Sequence, residues 1–421
     1  MATRIVAFIE TPWTGAGQDC ARYLLEHEVT PIILSKDPAH LHPALLADFA
    51  ELGVRIDRCD TDSVDAIVSA CTELKREGEL VGVVSVYEYY CGIGAEVAAI
   101  LGLPGPDPAA AHACRSKQAS RQAMASVPGL NPEFEICAGA EAAVLAAGRL
   151  GYPVVVKPVD LTGSVHVRRC DSPDAVRELT ETILGLGSYL GHDVVAKVMV
   201  EECVPGTEFS AEVMHGRVLG LTQKISSPPP HFIEMGHVFP AAVDEAISAL
   251  LTAKAEQAVK AVGIVWGPAH VELKLTAEGT DARVIEVNGR VAGGRIPELV
   301  RIASGVDLCA IHMESLLGGS PDLTVECERT AVAHFVLLSP AGALTDVLGI
   351  ELAASRPGVH EVRLRPGVQV GMTYEPNGSN RDRAAWILAE GANAVEAMER
   401  AEAAGQLLDF VWDGAVDPVT V

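Results

Sequence analysis

Blocks of strand-like and helix-like hydrophobicity succeed one another along residues 1–115. Residues 4–10 form a short apolar run of strand length, and residues 11–17, with Pro12, Gly15 and Gly17, predict a turn. Residues 19–28 have apolar positions at helical spacing, 31–34 predict a second strand, and 65–77 an amphipathic helix. Residues 81–86 read as a buried strand and 92–101 as a further helix. This rhythm implies a parallel sheet covered on both faces. Gly15-x-Gly17 after the first strand lacks the third glycine of a dinucleotide fingerprint, so a tight strand-to-helix turn is the better reading.

The Pro/Gly-dense run at 103–108 marks a boundary, and 109–127 predict one helix. Residues 152–157 and 198–204 are apolar strands, the second followed by a Pro205-Gly206 turn. Ser226-Ser-Pro-Pro-Pro230 interrupts the pattern. Residues 271–275 and 283–288 alternate with period two around a turn at 276–280, which predicts a hairpin. From about residue 331 onward short strands alternate with Gly/Pro turns, and a final helix is predicted near 392–404.

With 421 residues and 49% hydrophobic content, the chain can bury more than one core, because single cores stop growing at about 250–300 residues. No apolar run approaches the roughly 20 residues that span a bilayer. The amino-terminal stretch has no small-residue cleavage site and reads as a first strand. Ten cysteines without CxxC pairs or framework spacing predict a reduced, cytoplasmic protein. A formal charge of −24 repels nucleic acid phosphates and argues against a DNA or RNA partner. Cations beside glycines then become informative, since a polyphosphate site must be built against that field.

Two distant stretches supply such chemistry. In 271–275, Glu272 and Lys274 share one strand face; in 283–288, Glu286 and Asn288 do. If the strands pair, Glu272 and Glu286 lie side by side, a repulsive arrangement that a divalent cation relieves. Carboxylate and amide oxygens are hard ligands, and Mg2+ takes one or two of them together with substrate phosphates. A solvated strand face is the alternative; the adjoining Arg290, Gly293 and Gly294 favour function, an arginine to steady a transferring phosphoryl group and glycines for close backbone approach. Lys157 ends an apolar strand, where a semi-buried ammonium needs a partner such as phosphate oxygens; a snorkelling surface lysine is the alternative. The following Gly163-Ser164 turn can wrap phosphates with backbone N–H groups. Backbone groups around 201–204 can pair with an adenine edge and Glu208 with ribose hydroxyls, or the segment is an ordinary hairpin with solvated glutamates.

The order Lys117, Tyr152-Pro-Val-Val-Val-Lys157-Pro, Glu201-Glu202-Cys-Val204-Pro-Gly-Thr-Glu208, His270-Val-Glu272-Leu-Lys274, Ile285-Glu286-Val-Asn288-Gly-Arg290 resembles the ATP-grasp superfamily over nearly the whole chain. The run from Pro230 through His237 to Pro240, with the 290–294 segment, is most similar to its L-amino-acid ligases, which make dipeptides. The resemblance implies a multidomain α/β and α+β fold: a pre-ATP-grasp domain over 1–115, a small lid subdomain over 116–205, a large subdomain with the Mg2+ site over 206–325, and a C-terminal lobe over 326–421. It implies that Lys117 and Lys157 hold the α- and β-phosphates of ATP, that Glu201, Glu202 and Val204 frame adenine, and that Glu208 holds the ribose. Glu272, Glu286 and Asn288 would bind two Mg2+ ions, with Mn2+ as a substitute. Arg290 would meet the transferred phosphate, and Gly293 and Gly294 would line the acyl pocket. Glu88, His237 and His270 are further substrate candidates.

The implied activity is an ATP-dependent carboxylate–amine ligase acting on two amino acids through an acyl phosphate, with release of ADP and phosphate. The alternatives are a bicarbonate carboxylase working through carboxyphosphate and a non-catalytic nucleotide-binding protein. A homodimer is a family-level expectation. The loop at 162–166 has fewer glycines than the common lid, which puts its geometry in question; the loops at 160–166 and 226–237 are the lid candidates.

Overall fold

The computed structural model describes residues 3–12, 15–338 and 341–416. The chain opens with a four-stranded, wholly parallel sheet in the order Arg55–Arg58, Val29–Ser35, Arg4–Ile9, Glu79–Val84. Alternate side chains of the first strand go to opposite faces. Val6 and Phe8 pack with Cys20 and Leu24 of the helix Ala16–Glu26, whereas Ile5, Ala7 and Ile9 pack with Ile67, Cys71 and Leu74 of the helix Val64–Glu77. The predicted parallel sheet is therefore present.

Two local expectations change. The first helix begins at Ala16, so Gly17 is helical rather than part of the turn. A Cβ there would lie 2.0 Å from Thr11 Oγ1, which shows that Gly17 serves the close packing of the helix on the strand end. Trp13 and Thr14 of that predicted turn lie outside the described residues. The single helix predicted over 109–127 is two, Pro108–Arg115 and Lys117–Met124. Ser116 between them is extended, and its hydroxyl accepts from the Ala119 N–H at 3.2 Å. A serine inside an apparently continuous helical pattern acts here as an N-cap.

A second sheet, antiparallel, has the order Phe134–Cys137, Val198–Glu202, Val154–Pro158, Arg168–Cys170. The helices Ala140–Leu150 and Pro173–Leu184 bury Val154, Val156, Val198 and Val200 on one face. The opposite face is free to look toward the largest sheet, eight antiparallel strands in the order Ala282–Asn288, Pro268–Leu275, Glu208–Met214, Arg217–Ser226, Glu234–Phe239, Thr330–Leu337, Arg383–Gly391, Val359–Leu364. This sheet runs without interruption from the 206–325 segment into 326–421. The helix Glu245–Val262 covers one end of it and the helix Ala394–Gly405 the other. Leu299 and Val300 of the helix Ile296–Ser304 join Phe8, Leu24, Phe239, Ala333 and Trp386 in one core, which locks the first domain onto the large sheet just beyond residues 290–294. Among the described residues no helix is long and apolar enough to cross a membrane.

Candidate active site

The predicted hairpin forms, and its register sets Glu272 opposite Glu286 and His270 opposite Asn288. A bulge follows Glu272, whose neighbour Leu273 pairs with Val284, and bulges of this kind re-aim side chains. The two carboxylates do not face each other bare. Lys117 Nζ donates to Glu286 Oε1 at 3.0 Å and to the Leu161 carbonyl at 2.7 Å. Lys117 stands at the first position of its helix, where the helix dipole disfavours a cation; Glu286 and the carbonyl offset that cost. On the other side, Lys224 Nζ lies 3.1 Å from Glu272 Oε2, 2.8 Å from Glu208 Oε1 and 3.0 Å from Glu234 Oε1. One buried ammonium thus serves three carboxylates, and their charges hold its pKa well above the ordinary lysine value despite burial.

Behind Glu272 stands buried His270. Its Nε2 lies 3.4 Å from Glu272 Oε1 and its Nδ1 3.0 Å from Glu212 Oε2. Burial alone would lower its pKa, but Glu212 and Glu272 raise it to about 9, so both ring nitrogens carry protons at neutral pH. Burial would likewise raise the pKa of Glu272; Lys224 and His270 more than reverse that, and the group stays a carboxylate.

Lys157 is buried, which removes the snorkelling alternative. Its partner is Glu201 Oε1 at 2.5 Å; Arg121 Nη2 takes the other oxygen at 3.0 Å. Burial, opposed by Glu201, leaves the lysine pKa below its usual value, while Lys157 and Arg121 overcome burial to keep Glu201 ionised. The Glu201 carboxylate is therefore committed to these two cations. The Val204 N–H turns back onto the Glu202 carbonyl at 3.1 Å.

Lys117, Lys157, Glu201, Glu208, Glu234, Glu272 and Glu286 border one cavity of about 120 Å³. Of the sequence-predicted residues it brings together Lys117, Lys157, Ser164, Glu201, Glu202, Val204, Glu208, Glu272, Glu286, Asn288, Arg290 and Glu88. Its lining carries seven glutamates against three lysines and one arginine, so a polyanion can enter only with added positive charge. Glu272, Glu286 and Asn288 offer two carboxylates and a buried amide for that purpose. Among the described residues no group of three or more His, Cys, Asp or Glu side chains could cage a metal by itself; a site completed by phosphate oxygens needs no such cage.

A second cavity of about 340 Å³ adjoins the first and shares Glu88, Thr162, Arg290 and Asn380 with it. Arg290 Nη2 donates to Glu88 Oε2 at the junction. Gly293 and Gly294 line this second space. Gly294 has φ +61°, and a Cβ on it would lie 2.5 Å from His237 Cε1. His237 is buried, its Nδ1–H donating to the Gly294 carbonyl at 2.8 Å. His237 and His270 border neither cavity and stand one layer back.

The glycine-poor loop still makes left-handed turns: Gly163, Ser164 and His166 have φ of 68°, 59° and 55°. Non-glycine residues pay roughly 1–2 kcal/mol each for this conformation. The 168–192 segment beside this loop makes contacts across to other parts of the chain. His192 stacks on Tyr89 with ring centroids 4.2 Å apart, Arg381 sits 5.1 Å over the Tyr189 ring, and the Arg169 N–H donates to the Pro230 carbonyl at 3.1 Å. The 226–237 loop thus touches the small subdomain directly.

Sequence reasoning missed Glu234, Phe232 and Asn380, which border the first cavity, and Lys224, which holds three glutamates of its wall. A lysine in a strand facing Glu208 across the ladder was the available signal for Lys224.

The ATP-grasp domain model matches residues 150–298, and the L-amino acid ligase C-terminal domain 2 matches residues 334–413. The uncharacterized protein y4rH of Sinorhizobium fredii is 32% identical over 85% of this chain and 73% of its own length. An L-arginine-specific L-amino acid ligase of Bacillus subtilis is 23% identical over 72% of this chain and 74% of its own. Among solved structures, an L-amino acid ligase from Bacillus licheniformis superposes with a TM-score of 0.78 at 21% identity, covering 98% of this chain and all of that one. The fold, the order of the site residues and these similarities agree: the chain belongs to the ATP-grasp superfamily, among the L-amino acid ligases.

Proposed function

We propose that this enzyme joins two amino acids by phosphorylating a carboxylate of one with ATP and transferring the acyl group to the amine of the other. The observation that carries this reading is the junction of the two cavities at Arg290. A phosphoryl donor in the first and the carboxylate that accepts the phosphoryl group in the second would meet beside one guanidinium.

A carboxylate cannot expel an oxide ion at neutral pH. Transfer of the γ-phosphoryl group to a carboxylate oxygen forms a C–O–P anhydride and breaks the bond to ADP. Lys157 and Lys117, already in the cavity, would lie against the phosphates, and the pairing of each with a glutamate fixes its position beforehand. Arg290, held by Glu88, would neutralise the oxyanion formed when the second substrate's amine attacks the acyl carbon. Phosphate then leaves, and the amine gives up its proton as the amide forms. Glu272, Glu286 and Asn288 would hold divalent metal, two Mg2+ ions with Mn2+ as a substitute, which neutralises phosphate charge in a cavity dominated by glutamates.

Acyl phosphates hydrolyse, so the site has to close. The segment 116–205 would act as the lid over 206–325, with the 160–166 and 226–237 loops as its edges; the His192–Tyr89 stack supports a closed arrangement. Hydroxylamine tests the intermediate. With MgATP and a donor amino acid it should yield an amino acid hydroxamate in step with ADP. ADP formation without hydroxamate from any amino acid would contradict the acyl phosphate.

A further inference from the structure

Five of the seven cations bordering the two cavities have a carboxylate against them; among the described residues only Lys274, over the Phe232 ring in the first cavity, and Arg365 do not. Arg290 has Glu88, Arg295 has Glu298 at 2.9 Å and Glu361 at 2.8 Å, and Arg383 has Glu234 at 3.2 Å. Arg365, on the wall of the second cavity, is different. Among the described residues no carboxylate lies within the 4.0 Å of an ion pair. Among the described residues its one side-chain hydrogen bond runs from Nε to the Arg383 carbonyl at 2.7 Å, and no described group takes the outer edge of the guanidinium.

The backbone at this position is hydrogen-bonded on both sides. The Arg365 N–H donates to the Ala384 carbonyl at 2.7 Å, and its own carbonyl accepts from the Val368 N–H at 3.0 Å. Burial, with Arg381 and Arg383 nearby, pulls its pKa below the ordinary arginine value against the weaker effects of Tyr374 and Asp382. A chain of net charge −24 has ample carboxylates to pair with an arginine, yet it leaves this one half-buried and unmatched. Such an arrangement costs desolvation unless something else brings the anion. Arginine's planar fork suits a carboxylate. Phe335, Trp386 and Ala292 on the same walls offer apolar cover for the rest of a small molecule.

We propose that Arg365 is a specificity-determining residue that receives the non-reacting carboxylate of an amino acid substrate. This rests on the ligase reading above. Two sources have the same chemistry: the α-carboxylate of the amine acceptor, or the side-chain carboxylate of an acidic donor.

The test uses the full-length protein and Arg365→Gln, with Arg365→Lys as the charge-retaining control. ADP release is measured against free amino acids and their carboxamides as acceptors, and against glutamate and aspartate versus glutamine and asparagine as donors. Loss of a charge-assisted bond raises KM by roughly 10- to 100-fold. A rise in acceptor KM that disappears with carboxamides identifies the acceptor; a rise confined to acidic donors identifies the donor. Equal effects on acids and amides, or none on either, would overturn the proposal. If Arg365→Gln does not fold, the unaltered protein decides: it must favour free acids over the matching amides at one substrate position by at least about tenfold. Calorimetric titration of the same amino acids with MgADP separates the two failures. Binding that depends on Arg365 without any ADP release would sink the ligase reading and keep this inference. Turnover with equal KM in both proteins would do the reverse.

Discussion

Replacing Lys224 by methionine removes one charge and leaves three carboxylates around the gap. Their oxygens lie 2.8, 3.0 and 3.1 Å from the lysine nitrogen. The loss is not three times that of one pair. Glu272 keeps His270, and Glu234 keeps Arg383, whereas Glu208 has no other cation among the described residues. Breaking one buried pair costs about 3–5 kcal/mol, most of it from the stranded charge, and that range is the expected loss at neutral pH. The pH dependence follows from the carboxylates. With Lys224 present, Glu234 and Glu272 sit below the ordinary glutamate value although burial opposes it. Groups with lowered pKa contribute stability above their unfolded value, and that contribution is lost as pH falls. Without the lysine the contribution is absent throughout, and protonation relieves the repulsion. The gap between the two proteins must therefore keep its full width down to the unfolded glutamate value of about 4.5 and narrow only below it. The assay is the urea midpoint of each at pH 8, 7 and about 3.5, the last lying below the unfolded glutamate value. Saturating Mg2+ should recover part of the variant's loss, since it too can sit among the carboxylates. Equal midpoints at pH 7, or a gap of constant width, would refute the reasoning.

Glu286→Ala should lower ADP formation by roughly 100-fold or more while circular dichroism stays that of the parent; a folded variant that turns over normally would remove Glu286 from the metal site. The His270 pKa is raised to about 9, so its stabilisation is complete below the unfolded value of 6.5 and is lost as pH climbs through 9. That is about 3 kcal/mol at most, visible as a urea midpoint that drops between pH 7 and 10 in the parent and stays flat in His270→Gln. Gly294→Ala forces a left-handed alanine and a Cβ 2.5 Å from the His237 ring. It should cost about 1–2 kcal/mol of stability or more and raise amino acid KM with ATP binding retained; an unaffected variant would place the second cavity elsewhere.

The hairpin 268–288 was legible because two period-two runs around one glycine turn leave little freedom of register, and Glu272 does face Glu286. Lys157 was legible as a lysine needing a partner, but the partner, Glu201, lies on the neighbouring strand and is shared with Arg121 from a helix. Only one partner of Lys224, Glu208 on the adjacent strand, was within reach of the sequence. Its three carboxylates come from three strands, and only the folded sheet gathers them. The helix break at Ser116 was hidden because a single cap residue interrupts an otherwise helical pattern. Asn380 and Arg365 belong to the far end of the chain, and nothing local to them suggests an active site; the continuous eight-stranded sheet carries them there.

The most direct test of the central claim is ADP release from MgATP by purified protein, screened over pairs of L-amino acids with single amino acids, bicarbonate and no-amine controls, and with mass spectrometry of the products. The account predicts release that requires two amino acids, matched mole for mole by their dipeptide. Release that depends on bicarbonate alone, or tight ATP binding with no ADP formed from any pair, would contradict it.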